Sequence, residues 1–302
     1  MHWAARVLLL SPSLLAAAIS RAQGQDARPP LELRRLAAWA DERLHESSGV
    51  AVSRSHPGLL WTNNDSGDGP NLYLTDTTGS LRAAFVVAGA RAVDWEALAI
   101  GPCAPPEWRG RSCLYIADTG DNSEQRTRVV VYAVPEPESL PPIGAAGGRT
   151  EPARALRLRY WDRPQDAEAL VALAGGGLAL VTKGRTGPVV RYDIPTNAWL
   201  QLEMVLTHPD TLPIEPRMAL GRWVTGAAAA PDGEHVVVRT YTEVFRFRVG
   251  ERWVQAGPPC LLGLAEPQGE AVDFLDEERL ILTSERARGI AGGLTLVRCD
   301  WR

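Results

Sequence analysis

The sequence predicts an all-β fold built from repeated sheets, and two observations carry this prediction. Short apolar runs typical of strands recur along the chain, and no long segment keeps the 3.6-residue period of an amphipathic helix. A five-residue phrase also repeats, at residues 94–98, 166–170 and, in a third version, 268–272. Looser copies stand at residues 47–51 and 224–228. Such internal repetition is typical of a repeat fold.

Each copy of the phrase is followed by enough apolar runs for one small sheet. The sheets fall at about residues 46–90, 91–161, 162–212, 222–262 and 266–302. The first four have four strands each, whereas the last has three. Residues 31–39 precede the first sheet and have no other partner, so we expect them to supply the missing strand. Pairing the two ends closes a ring and removes exposed strand edges. The sequence therefore predicts a five-bladed β-propeller.

The connections support this division. Tight-turn residues separate the first and second strands of four sheets, at residues 56–58, 175–177, 231–233 and 276–278. In the second sheet a longer loop between Cys103 and Cys113 takes that place. We expect residues 200–206 to form the outer strand of the third sheet. The Pro- and Gly-rich residues 136–152 are predicted to be an irregular insertion.

The first 22 residues have the features of a secretory signal peptide. A short segment with Arg6 precedes an apolar run from Val7 to Ile19, and small residues stand before a cleavage point that would make Gln23 the mature start. This run is too short for a membrane span, and no later stretch is long enough. We expect an exported protein in the periplasm or outside the cell. Residues 23–302 could form one domain or two, and the repeats favour one.

Four cysteines in an exported chain predict two disulfides, for which three connectivities exist. Cys103 and Cys113 bracket one compact loop, so we expect them to pair with each other and Cys260 to pair with Cys299. The cysteines and the five scattered histidines show no spacing typical of a zinc site.

The charge balance bears on the class of partner. Removing Arg6 and Arg21 from the 32 basic residues leaves 30 against 36 acidic residues. A net negative chain is evidence against a nucleic-acid partner. An anionic small molecule or a component of the cell envelope remains a candidate partner, and the sequence does not determine the oligomeric state.

One position recurs in all five phrases and holds an oxygen-bearing side chain. The five residues are Ser48, Glu96, Glu168, Thr225 and Glu270. The inner strands of a propeller surround its axis, so we expect these side chains to form one ring. Three crowded carboxylates would repel one another, and a bound cation would remove that conflict. An all-oxygen ligand set favours Ca²⁺ over zinc or copper. The alternative is that the glutamates cap the axis through backbone hydrogen bonds and water.

Polar loops follow the second strand of each sheet, and hairpin geometry returns them to the face where the phrases begin. Asp65, Asp118 and Asp121 are candidates to position water or a second metal ion. The candidate ligand-binding residues at this mouth are Asn64, Asp68, Asp94, Asn122, Asp166, Lys183, Arg185, Arg239, Glu285 and Arg286. An acidic half beside a basic half suits metal-assisted chemistry on an anionic ester. The alternative is that the Asp-rich loops are turns whose side chains cap their own backbone.

The order Ser, Glu, Glu, Thr, Glu, one residue per sheet, resembles the calcium-activated apyrases, which are secreted nucleotidases with a five-bladed propeller. The resemblance implies a calcium ion on the axis, held by Ser48, Glu96, Glu168, Thr225 and Glu270, with Thr225 in place of a serine. Residues 46–49, 64–67 and 114–122 are similar to exported bacterial propeller proteins of undefined function. The Glu-Ala-Leu strand openings are similar to the propellers called esterase-like phytases.

Two hypotheses on function follow. The first is a calcium-binding hydrolase of phosphate or other anionic esters, with Lys183 and Arg239 holding the anion. The second is a non-catalytic propeller of the cell envelope that binds a ligand or a protein at the same mouth. A Ser-His-Asp or Cys-His site is not indicated, because His208 and His235 lack the context of a nucleophile.

Overall fold

The structure is a computed structural model that describes residues 26–141, 147–216 and 219–302, with only the backbone described for residues 219 and 220. The predicted signal peptide, residues 1–22, lies outside the described residues. Within the described ranges the regular structure is β-strand except for three short 3₁₀ turns, at Pro106–Trp108, Thr196–Leu200 and Ala219–Arg222. No helix in the described ranges is long and apolar enough to cross a membrane.

Five sheets, here called blades 1 to 5, each run outward from an inner strand through antiparallel hairpins. The inner strands are Ser47–Val52, Trp95–Pro102, Ala167–Ala172, Val224–Ala229 and Gln268–Phe274. The second strands are Leu59–Asn64, Ser112–Asp118, Leu178–Thr182, His235–Thr240 and Arg279–Glu285. The third strands are Asn71–Asp76, Val129–Pro135, Val190–Ile194, Glu243–Arg248 and Gly293–Arg298. The outer strands are Leu81–Val86, Arg154–Tyr160, Asp210–Thr211, Val254–Gln255 and, for blade 5, Glu32–Ala38.

The inner strands form a closed ring, since each packs against the next and the fifth packs against the first. Glu32–Ala38 pairs antiparallel with Gly293–Arg298, so the fourth strand of blade 5 comes from the start of the chain. The predicted five-bladed propeller and its closure by an N-terminal strand are both confirmed.

The predicted outer strand of blade 3 is wrong. The segment Glu203–Leu206 pairs in parallel with Arg154–Tyr160 and so extends blade 2. A 3₁₀ turn carries the chain past the edge of blade 3, and Trp199 in that turn is buried 5.9 Å from the ring of Tyr115 in blade 2. The aromatic contact holds the segment on the neighbouring sheet, and the two-residue strand Asp210–Thr211 completes blade 3.

Two further short strands lie at blade edges. Gly148–Arg149, inside the expected irregular insertion, pairs in parallel with the outer strand of blade 1. Cys260–Leu261 pairs with the third strand of blade 4. Both predicted disulfides are present: Cys103–Cys113 closes the hairpin of blade 2, and Cys260–Cys299 joins the edge of blade 4 to the end of blade 5.

The core consists of apolar layers between neighbouring blades. Along the inner strand of blade 2, Leu98 packs into the layer shared with blade 1, while Ala97 and Ala99 pack into the layer shared with blade 3. Inner-strand side chains thus alternate between two neighbours, as the two-residue period of a strand requires. Each inner strand is the edge strand of its sheet, and its unpaired backbone edge faces the axis.

Candidate functional site

The five recurring positions share a backbone feature that turns their side chains away from the interblade layers. In every blade the register between the first and second strands shifts at this position, so each of these residues belongs to a β-bulge. A bulge leaves a residue without a ladder partner and changes the direction of its side chain. We call the five residues the axial ring: Ser48, Glu96, Glu168, Thr225 and Glu270. All five are at most 4% exposed.

Hydroxyl groups link the ring from blade to blade. Ser48 Oγ lies 2.8 Å from the backbone oxygen of Glu96, and Thr225 Oγ1 lies 2.7 Å from the backbone oxygen of Glu270. Each hydroxyl donates its hydrogen to the next blade and keeps lone pairs for a further contact. Ser48 Oγ is also 3.2 Å from Glu96 Oε2. One hydroxyl hydrogen cannot serve both oxygens fully, so the second contact is satisfied best by a protonated Glu96 or by a cation.

A second group of carboxylates stands beside the ring, and we call it the acidic mouth: Asp65, Asp94, Asp166 and Glu285. Carboxylate oxygens of Asp65, Asp94 and Glu96 lie within 4.8 Å of one another, as do those of Glu96, Asp166 and Glu168. Glu285 accepts a 2.7 Å hydrogen bond from Gln268 Nε2. Glu96 of the ring therefore joins both of these groups, and ring and mouth form one connected acidic site.

Burial and mutual repulsion raise the pKa of these carboxyls. The pKa of Glu96 lies well above its ordinary value because the group is buried and faces Glu168. Burial and the repulsion of Glu285 also raise the pKa of Glu270 well above its ordinary value. The pKa of Glu168 is raised by burial to about 7, although Lys183 opposes the shift.

The pKa values of carboxyls in the acidic mouth are raised for the same reasons. Burial and the neighbouring Asp65 raise the pKa of Asp94 to about 7 and that of Glu285 to about 8. These carboxyls resist full ionisation at neutral pH unless positive charge enters the site.

Two basic side chains already contact this site. Lys183, the only lysine of the chain, forms a buried ion pair with Glu168, and its Nζ lies 4.0 Å from Asp166 Oδ2. Burial acts against its charge, but Glu168 outweighs that effect and raises the pKa of Lys183. Arg185 Nε lies 3.2 Å from Asp166 Oδ2, and its guanidinium also contacts Asn122. Lys183, one of the two residues predicted to hold an anion, and the candidate ligand-binding residue Arg185 are thus both engaged by carboxylates.

Arg239 lies apart from the mouth. Its side chain is fully buried, donates to the backbone oxygens of Ala271 (2.6 Å) and Thr283 (2.9 Å), and forms an ion pair with Glu266. Ala271 belongs to the bulge that contains Glu270, so Arg239 supplies a donor where the ladder is interrupted. Arg286 is exposed, and its backbone N–H donates to the oxygen of His45.

The three predicted catalytic aspartates have different surroundings. Asp118 is buried, accepts the backbone N–H of Asp94 (3.2 Å) and pairs with Arg126 (2.8 Å). Asp121 is buried and accepts the backbone N–H of Arg126 at 2.6 Å. Both therefore stabilise the loop of blade 2. Asp65 alone of the three belongs to the acidic mouth.

The remaining predicted residues organise the loop of blade 1. Asp68 accepts hydrogen bonds from Asn64 Nδ2 (3.0 Å), Asn71 Nδ2 (3.1 Å) and the hydroxyl of Tyr73 (2.8 Å). Asn64 also donates to the backbone oxygen of Arg43 at 2.6 Å. These contacts fix the loop that carries Asp65 at the mouth.

Two aromatic residues at the mouth were not predicted. The rings of Trp223 and Tyr241 pack edge to face with centroids 6.4 Å apart, and the guanidinium of Arg185 lies 5.1 Å from the centroid of the Trp223 ring. Burial and the nearby Glu270 raise the pKa of Tyr241. These residues form an aromatic wall beside the acidic site.

The repeat contains a sequence pattern from which these two aromatic residues could have been predicted. Trp223 stands two residues before Thr225, as Asp94 and Asp166 stand two residues before their ring glutamates. Tyr241 directly follows the second strand of blade 4, as Lys183 does in blade 3. The mouth is therefore assembled from two repeat positions per blade, whatever residue type occupies them.

Comparisons with known proteins leave the family open. No protein-family model and no curated protein matches the sequence. Among solved structures, the chain is similar to the PQQ-bound aldose sugar dehydrogenase from Streptomyces coelicolor, with 12% identity over 90% of this chain and 99% of that chain, and a TM-score of 0.47. It is also similar to Kuenenia stuttgartiensis hydrazine synthase, with 10% identity over 80% and 77% of the two chains and a TM-score of 0.41.

Both TM-scores lie below 0.5, so neither match carries an argument about this chain. The five-bladed ring rests on the strand pairing of this chain itself. The resemblance to apyrases and esterase-like phytases is not shown by the comparisons.

Proposed function

We propose that the chain is an exported calcium-binding propeller whose axial ring and acidic mouth hold the cation. One observation carries the proposal: the seven carboxylates of ring and mouth outnumber the basic side chains that act on them, which are Lys183, Arg185 and Arg126 among the described residues. The carboxylates are Glu96, Glu168, Glu270, Asp65, Asp94, Asp166 and Glu285. Ca²⁺ prefers six to eight oxygen ligands and would relieve this excess of negative charge.

The residues present fit such an ion by their chemistry. Glu96 and Glu168 would supply carboxylate oxygens, while Ser48 and Thr225 would supply hydroxyl oxygens whose hydrogens are already donated to backbone. When bound, a divalent cation polarises a phosphoryl or carbonyl oxygen and lowers the pKa of a coordinated water. Two disulfides support the export part of the proposal.

Hydrolysis of an anionic ester is the activity we propose for this site. Asp65 supports it, because this acid is half-buried at the mouth and shares the carboxylate cluster of Glu96. Lys183 and Arg185 would hold the anion once a cation had replaced them at Glu168 and Asp166. Arg239 is not assigned this role, because it is fully buried.

A non-catalytic binding propeller is the second candidate. The aromatic wall of Trp223 and Tyr241 favours it, because paired aromatic rings beside a charged site are a common ligand-binding surface.

The test combines calcium binding with turnover. Mature protein is melted with Ca²⁺ and with EDTA, and assayed on nucleotides, phytate and simple phosphate and carboxylate esters. We expect Ca²⁺ to raise the melting temperature of the wild type and of the surface control Glu278→Gln, whose side chain is 70% exposed, but not that of Glu168→Gln. Equal shifts in all three proteins would refute the axial cation. A calcium shift without metal-dependent turnover would exclude the hydrolase and retain the binding propeller.

A further inference from the structure

A cavity of about 520 Å³ opens at the end of the axis opposite the acidic mouth. All five blades line it with residues that follow the ring positions along the inner strands, among them Val52, Ile100, Ala172, Ala229 and Phe274. No ring residue belongs to its wall. Since the ring residues are buried, they close the inner end of the cavity.

The cavity has the size and lining of a small-molecule site. Its volume falls within the range of about 300–1,000 Å³ that is usual for ligand pockets. Its side chains are chiefly aliphatic, and the inner-strand backbone edges between them offer hydrogen-bonding groups. Because inner strands of five sheets form the wall, the cavity is preformed.

The charged groups are at the rim. Among the described residues that line the cavity, Arg54 is the one basic residue and Asp273 the one acidic residue. Asp273 uses both oxygens, which accept the backbone N–H groups of Val52 and Phe274. Arg54 is exposed and donates to the backbone oxygen of Ile100 at 3.2 Å, which leaves most of its donors free.

The turn that carries Arg54 is held rigidly by one buried acid. Glu136 accepts the backbone N–H groups of Arg54 and Ser55, both at 3.1 Å, and the Ser53 hydroxyl at 2.6 Å. It also accepts the indole N–H of Trp61 at 2.9 Å. A guanidinium on a fixed turn at the rim of an apolar cavity is a preorganised partner for a carboxylate.

We propose that this cavity binds a linear aliphatic carboxylate, with its head group at Arg54 and its alkyl chain directed inward. The lining fixes this orientation, because an ionised head group among the aliphatic side chains would be buried without a charged partner, whereas Arg54 offers one at the rim. The site is separate from the acidic mouth and does not depend on calcium or on turnover there.

The experiment titrates mature protein with decanoate by calorimetry, with decyltrimethylammonium as the probe of opposite charge and equal chain length. We expect one decanoate per chain and weaker binding of the cationic amphiphile. Arg54→Gln should weaken decanoate binding about tenfold, the usual worth of a charge-assisted hydrogen bond. Asp273→Asn should strengthen it, because it removes the negative charge at the rim. The control Arg252→Gln, at a side chain 77% exposed and outside the cavity, should bind as the wild type does.

Two filling variants test the location. Ala229→Phe and Ile100→Phe each enlarge a side chain that is partly exposed within the cavity, and each should abolish binding in protein that still melts cooperatively. Two variants are used so that loss of folding in one leaves the other as the test. The proposal is overturned if the wild type shows no saturable decanoate binding, if both folded filling variants bind normally, or if decyltrimethylammonium binds as tightly as decanoate. Decanoate binding by the wild type should be the same in Ca²⁺ and in EDTA, which separates this site from the proposed calcium site.

Discussion

Asp273 accepts the backbone N–H of Val52 across the junction of the last and first blades, with 2.6 Å between Val52 N and Asp273 Oδ2. Its other carboxylate oxygen accepts the backbone N–H of Phe274 at 2.7 Å. Burial nevertheless outweighs these hydrogen bonds and raises the pKa of Asp273 to about 6. The ionised form is therefore less favourable in the folded protein than in the unfolded chain.

This shift predicts a pH-dependent effect of Asp273→Asn on stability. The folded-state pKa of about 6 lies above the ordinary value of 3.8, so this group makes stability fall as pH rises from about 4 to about 6. An Asn side chain lacks the charge that carries this penalty, although its single oxygen accepts only one of the two backbone N–H groups. We expect the stability of the variant relative to the wild type to rise by roughly 1–3 kcal/mol between pH 4 and pH 7.5. Urea unfolding at several pH values measures the difference, and a difference independent of pH would contradict the assignment.

Lys183→Met tests whether the lysine substitutes for a cation. Without metal, the loss of a buried partner from Glu168 should lower stability by up to about 3–5 kcal/mol. Because the ammonium no longer competes for that carboxylate, Ca²⁺ should raise the melting temperature of the variant more than that of the wild type. Lys183→Arg retains the charge and serves as the control. A smaller calcium shift in Lys183→Met than in the wild type would show that Lys183 assists cation binding.

Gly269→Ala tests the contact that supports the bulge of blade 5. A Cβ atom at residue 269 would lie 1.8 Å from a guanidinium nitrogen of Arg239, which is fully buried and cannot move away freely. We expect a loss of roughly 2–4 kcal/mol in urea unfolding, in the range of other disruptions of buried networks. The control is Gly175→Ala, where a Cβ meets no atom within 4 Å. Equal stability of the two variants would contradict the packing described for Arg239.

The two disulfides should differ in their effect on stability. Cys260–Cys299 spans 39 residues and Cys103–Cys113 spans 10, so loop entropy assigns them about 4 and about 3 kcal/mol respectively. Replacing each pair by alanine and comparing unfolding in urea measures both. The larger loss should come from Cys260–Cys299, which also joins two blades. The opposite order would mean that local packing of the hairpin dominates.

The sequence was sufficient to predict the blades and their closure. The repeated phrase marks a position that every blade needs in the same geometry, and residues 31–39 had no other partner. The partner of Glu203–Leu206 was not predictable, because a strand pattern does not say which neighbouring sheet it joins. That choice depends on the contact between Trp199 and Tyr115, which is a property of the folded chain.

The candidate site was predicted in its position and only partly in its members. The polar loops predicted which end of the propeller carries the site. They did not distinguish Asp65, which belongs to the mouth, from Asp118 and Asp121, whose carboxylates accept backbone N–H groups. Arg239 looks like a ligand in the sequence because it ends a strand near polar loops. Its burial is set by the bulge around Glu270, and a bulge cannot be read from residue types alone.

The strand that closes the ring has a consequence for how the protein folds. Glu32–Ala38 leaves the ribosome early, yet its partner Gly293–Arg298 is near the end of the chain. This strand must therefore remain unpaired until nearly all of the other described strands exist. Contacts between such distant parts of a chain form slowly. Until they form, blade 5 lacks its outer strand, and the open edge of Gly293–Arg298 can pair with another chain.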